Sequence, residues 1–111
     1  MALFRQGDIV EFDFSPSRGH EPAGRIPGLV VSNDEFTWST SMTLVCPIIT
    51  RNNGFPLHLA LPEEIDERYG FVVVEQVRAF DLETRNAITI VHLDPDMPLM
   101  RHVLTLLKSF F

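Results

Sequence analysis

The chain has one cysteine, Cys46, in 111 residues. A lone thiol cannot staple a chain internally and offers no pair for a zinc site. Set in the run Leu44-Val45-Cys46-Pro47-Ile48-Ile49, it reads as a small buried hydrophobe rather than a nucleophile. No apolar stretch approaches the ~18–20 residues that cross a bilayer. A signal peptide is not expected, because Met1-Ala2-Leu3-Phe4-Arg5-Gln6-Gly7-Asp8 soon turns polar. The protein is therefore expected to be cytoplasmic. His58, His92 and His102 lack any His-x-x-x-His spacing, so no metal site is expected. Internal repeats and low-complexity tracts are absent as well.

Positive charge is scarce. Nine Lys and Arg face fifteen Asp and Glu, for a net charge of −6. That balance excludes a broad basic face, because phosphate affinity grows with neutralising cations. A focused site is not excluded. Every cation but Lys108 is an arginine: Arg5, Arg18, Arg25, Arg51, Arg68, Arg78, Arg85 and Arg101. The arginine fork suits phosphate or carboxylate oxygens. The acid is partly gathered in one knot, Glu63, Glu64, Asp66 and Glu67.

What is present suits one folded domain over residues 1–111, with 45% hydrophobic and 22% charged residues. Such a chain buries about two thirds of its unfolded surface, so further burial in a homodimer would help. Asp8 to Phe14 alternates like a strand. Ser15 to Pro27 reads as a long functional loop. Gly28 to Ser32 is a short strand, after which Ser32 or Asn33 could cap a helix from Asp34 to Trp38. Met42 to Thr50 is a strand whose Pro47 predicts an edge position or a bulge. Asn52-Asn53-Gly54 signals a turn into a strand from Phe55 to Leu61, expected to form a hairpin with Met42 to Thr50. Gly70 to Phe80 reads as one long strand with a polar insert at Glu75-Gln76, and Ala87 to Leu93 as another.

The end of the chain changes period. Asp94-Pro95-Asp96 resembles an N-cap with an acidic first turn. Leu99, Met100, Val103, Leu104, Leu106, Leu107 and Phe110 then recur at helical spacing. The terminal Phe110-Phe111 is expected in the core or on a dimer surface, and Trp38 in packing or a dimer contact. The predicted class is mainly β with helices (α+β): a strongly bent sheet or small barrel ending in an amphipathic helix.

The run from Gln6 to Gly24, Gln6-Gly7-Asp8-Ile9-Val10-Glu11-Phe12-Asp13-Phe14-Ser15-Pro16 and onward through Glu21, resembles the opening of MazF/PemK toxins. The likeness continues through Pro27-Gly28-Leu29-Val30-Val31-Ser32-Asn33-Asp34, Leu44-Val45-Cys46-Pro47-Ile48-Ile49-Thr50, Phe55-Pro56 and Glu75-Gln76-Val77-Arg78. The blocks keep family order and spacing.

This resemblance implies an SH3-like barrel of about six to seven strands, usually a homodimer. It also implies a metal-free endoribonuclease that needs no cofactor, cleaves single-stranded RNA at a short sequence and arrests growth. Its partner would be an antitoxin with an acidic disordered tail. Metal-free cleavage needs a base for the 2′-hydroxyl, an acid for the leaving oxygen and donors for the phosphate. Glu21 and His20 are the candidate proton carriers, Arg25 the phosphate clamp, and Thr50 the hydroxyl that holds the scissile phosphate. Arg78, Arg18, Arg51 and Gln76 are candidate RNA contacts.

The family usually has an arginine directly before the proline of its second strand. Ile26 stands there, and Arg25 is one residue earlier, hence on the other face of an extended chain. A catalytically impaired member that only binds antitoxin or RNA is therefore an alternative reading. A CcdB-like gyrase inhibitor is a further one, weakened because the chain ends Lys108-Ser109-Phe110-Phe111 instead of in a Trp-Gly-Ile tail.

Overall fold

The computed structural model describes residues 4–14, 24–50, 57–62 and 70–111. Seven strands run through them: β1 (Asp8–Asp13), β2 (Arg25–Val30), β3 (Thr43–Ile49), β4 (His58–Ala60), β5 (Phe71–Val73), β6 (Arg78–Phe80) and β7 (Ile88–His92). Helix α1 (Asp34–Thr40) follows β2, and α2 (Pro98–Ser109) ends the chain. The sheet is ordered β4-β5-β3-β2-β1-β7, with β6 also on β3. Every pairing is antiparallel. The expected bent, barrel-like architecture is present, but the sheet does not close on itself.

Strand alternation sends β1 side chains to two apolar clusters. Ile9 joins Leu29, Cys46, Val72 and the α2 residues Met100 and Val103 on one face. Val10 and Phe12 join Val30, Val45, Phe80 and Leu82 on the other. The helical period of the C-terminal segment is thus accounted for by burial of one face of α2. Cys46 is fully buried, as its apolar surroundings predict, and burial pushes its thiol up to about 12, with Glu75 a smaller contribution. No helix among the described residues is long and apolar enough to cross a membrane.

Gly7 closes the sheet's lower end. Its φ is +99°, and a Cβ there would meet the Leu93 carbonyl oxygen at 2.0 Å. The bare backbone lets Gly7 N–H donate to the Val30 carbonyl and its own carbonyl accept from Leu93 N–H.

Several expectations need correction. β2 begins at Arg25, inside the segment read as loop, because Phe12, Asp13 and Glu11 pair with Ile26, Arg25 and Pro27. Pro47 lies on neither an edge nor an isolated bulge. β3 pairs β2 along one side, and on the other it pairs β6 through Thr43–Val45 and β5 through Ile48–Ile49. Cys46 and Pro47 fall where the partner changes, the one place in a central strand where a missing N–H is cheap. The long strand from Gly70 breaks into β5, a 3-10 turn at Val74–Gln76, and β6, because those two pieces serve the two halves of β3.

Asn33 caps α1 as expected, accepting the Phe36 N–H at 2.9 Å. Asp94 does not cap α2. It folds back on the Asp96 N–H at 2.9 Å, and the helix starts at Pro98 after Met97, with no side-chain cap, since proline suits the first helical position. Trp38 is 64% exposed and Phe111 fully exposed, so neither packs in this chain's core. The strand at 58–60 does not form the expected hairpin with β3: β4 pairs with β5, which lies between them, while the Asn52-Asn53-Gly54 turn and the acidic knot at 63–67 lie outside the described residues.

Candidate functional site

Polar groups converge where β1 ends and β2 begins. Asp13 and Arg25 are register partners. Arg25 Nη1 donates to Asp13 Oδ1 at 3.0 Å, and Nη2 donates to the Glu11 carbonyl at 2.9 Å. The second carboxylate oxygen accepts from Asn86 Nδ2 at 2.9 Å. The Asn86 hydrogen bond is the largest influence on the Asp13 carboxyl; desolvation, the next largest, opposes it, and the lesser Arg25 bond and the Arg25 and Arg85 charges help hold the group below the usual carboxylate value. Asn86 has φ +55°, a left-handed conformation that asparagine tolerates, and this turns the chain into β7.

Arg85 braces the same point from behind. Asp13 N–H donates to the Arg85 carbonyl at 2.8 Å. Arg85 Nη1 donates to the carbonyls of Asp13, at 3.1 Å, and of Phe14.

The next residue, Phe14, turns to the opposite face and begins a second group. Its ring centroid lies 5.8 Å from that of buried Phe80, which in turn lies 4.8 Å from Phe12. The Arg78 guanidinium carbon stands 4.8 Å from the Phe80 centroid and 5.3 Å from the Phe14 centroid; that of Arg85 is 5.0 Å from Phe80. Arg78 is exposed, so its charge rests on aromatic faces with its outer edge in water. It does not pair with Glu75, whose Oε2 lies 3.0 Å from Nε2 of His58.

Of the expected site residues, Arg25 and Arg78 thus flank consecutive residues at the end of β1, Asp13 and Phe14, on opposite faces. Ile26 packs with Phe14 against the second apolar cluster, so the one-residue shift moves the cation away from the Phe14 side. Thr50 is exposed immediately after β3, and Gln76 is exposed at the end of the 3-10 turn. Arg18, His20, Glu21 and Arg51 lie outside the described residues. Asp13, Arg85 and Asn86 were not singled out by the sequence. The available signal was Asp13's polar place on an alternating strand.

Residues 5–111 match the family model described as PemK-like, MazF-like toxin of type II toxin–antitoxin systems. The chain is 44% identical over 93 residues to the endoribonuclease toxin ChpB of Escherichia coli (strain K12), covering 76% of this chain and 75% of that protein. It is 33% identical over 81 residues to the endoribonuclease toxin MazF of the same organism, covering 73% and 71%. Among solved structures, MazF of Deinococcus radiodurans superposes with a TM-score of 0.81 at 28% identity, covering 99% of this chain and 97% of that one. The MazE–MazF complex of that organism contains a chain matching at TM-score 0.83 and 27% identity, covering 98% and 96%.

Proposed function

From the premise that the chain belongs to the PemK-like, MazF-like toxin family, we propose that it is an endoribonuclease toxin that cleaves single-stranded RNA at a short sequence without a metal and arrests growth. The observation that carries the reading is the placement of Arg25. β2 and β3 pair as Gly28↔Pro47, Leu29↔Cys46 and Val30↔Val45. Were that register to continue three residues past the paired segment, Arg25 would stand opposite Thr50, with a guanidinium fork and a hydroxyl on one face of neighbouring strand ends.

A phosphodiester lying across that pair would have its oxygens held by Arg25 and Thr50. Glu21 takes the proton from the 2′-hydroxyl as the 2′-oxygen attacks phosphorus. The bond from phosphorus to the 5′-oxygen breaks, and His20 delivers a proton to the leaving oxygen. A 2′,3′-cyclic phosphate and a 5′-hydroxyl result. Arg78, with Arg18, Arg51 and Gln76, holds the flanking RNA. The partner is a cognate antitoxin with an acidic disordered tail, in the cytoplasm. A homodimer is supported by Ile88 and Ile90, 55% and 36% exposed on the terminal strand β7.

The test is incubation of the purified protein with a long, weakly structured RNA in EDTA, with mapping of the ends. Discrete cuts that vanish in Thr50→Ala support the reading. One observation favours the impaired alternative: Ile26 fills the family's arginine position, and Asp13 and the Glu11 carbonyl already engage Arg25. Inert wild type with an active Ile26→Arg variant would establish it.

A further inference from the structure

We infer that Asp13 is a positioning residue, which fixes the Arg25 guanidinium so that its free edge meets the scissile phosphate. This rests on the reading of Arg25 as the phosphate clamp. A guanidinium carries five N–H donors. Two of Arg25's are spent on β1, one from each terminal nitrogen, on Asp13 Oδ1 and the Glu11 carbonyl. The other three, at Nε and the outer sides of the two Nη atoms, are not used by either anchor. The Arg25 side chain is 37% exposed and that of Asp13 27%, so the fork is held yet open to a ligand.

The hold is itself built. Asn86 occupies Asp13 Oδ2, which leaves Oδ1 directed at Arg25. The backbone of Asp13 is tied on its amide to the Arg85 carbonyl and on its carbonyl to Arg85 Nη1. A chain of contacts therefore runs from the turn before β7, through β1, to β2, and ends on the cation. An arginine side chain loses much rotational freedom when it grips a phosphate, and a support that removes that freedom in advance favours the transition state. A carboxylate beside a phosphate has a Coulombic cost. The pairing with Arg25 and the amide of Asn86 offset it, which is why the support is a buttressed carboxylate instead of a lone one.

The test compares Asp13→Ala, Arg25→Ala and the double variant. Asp13→Ala is expected to lower kcat for RNA cleavage about tenfold or more while KM changes less than about twofold, because orientation and not attraction is lost. Added guanidinium ion should restore cleavage to Arg25→Ala, where Asp13 can still seat it, and fail to do so in the double variant. Independently of activity, nitrogen-15 NMR of Arg25 should show slowly rotating, resolved Nη signals in the wild type that collapse in Asp13→Ala. Retained Nη signals in Asp13→Ala, or an unchanged kcat, overturn the inference. Full activity in Arg25→Ala, or an RNA left whole by the wild type, overturns the clamp reading beneath it. Collapse of the Nη signals would then leave Asp13 as a structural anchor only.

Discussion

His92 Nδ1 lies 2.6 Å from Oδ1 of Asp8, its register partner across β7 and β1. Asp8 is 1% exposed, and its other oxygen accepts the Arg5 N–H at 2.9 Å. The carboxylate thus joins the terminal strand to the first and satisfies the backbone that leads into it. Asp8→Ala is expected to lower stability by about 1–3 kcal/mol, because donors built around one acceptor lose it together. Urea unfolding with an unchanged slope checks this; a shift below about 0.5 kcal/mol, the size of an ordinary surface change, would remove the joining role.

Gly7→Ala should cost about 2–4 kcal/mol. The new Cβ would combine a strained backbone with a 2.0 Å approach to the Leu93 carbonyl, and each effect alone is worth about 1–3 kcal/mol. Thermal unfolding measures the loss. Tolerance of alanine with wild-type stability would mean that the Gly7–Leu93 contact yields readily.

Cys46 gives a pH signature. Burial pushes its thiol up to about 12, well above the ordinary thiol range. Unfolding restores the ordinary value, so between about pH 9 and 12 the unfolded state ionises first and the folded state does not. Stability is therefore complete below pH 9 and falls as pH rises through that window. Cys46→Ala should flatten this part of the alkaline slope. Iodoacetamide at pH 8 should label the thiol only in denaturant, and labelling of the native protein would contradict its burial.

Arg78→Ala should separate binding from folding. Its contacts with Phe14 and Phe80 are exposed cation–π pairs worth about 0.5–1 kcal/mol, so the midpoint of unfolding should move little. RNA affinity should fall about fivefold, and the salt dependence of binding should lose about one unit of slope. Unchanged affinity and slope would remove Arg78 from the RNA path.

Local patterns made part of this molecule legible. Alternation located β1, the Asn33 cap located α1, and helical spacing located α2. Family blocks in register identified the architecture. The missed features are non-local. β2 starts at Arg25 because β1 pairs with it there, and no propensity at Arg25-Ile26-Pro27 announces that. The interruption at Val74–Gln76 and the central position of Pro47 share one cause, the change of partner along β3. Asp13 escaped notice because its importance depends on residues 12 and 73 positions away, brought together only when β1 has a neighbour on each side. Hydrophobicity alone does not reveal where the surface falls, and the exposure of Trp38 and Phe111 removes only the core half of the expectation for each.

The change of partner at Cys46 and Pro47 divides the sheet mechanically. Among the described residues, the β4–β5 pair joins the sheet ladder through Ile48 and Ile49 alone, like a page sewn in by two stitches. Local opening is therefore expected first at this pair, baring Val72 and its share of the core, while β1, β2 and β7 stay bound. Amide protons of Phe71–Val73 should therefore exchange ahead of those of Ile9–Phe12, and crosslinking that page shut would slow the first set and leave the second unchanged.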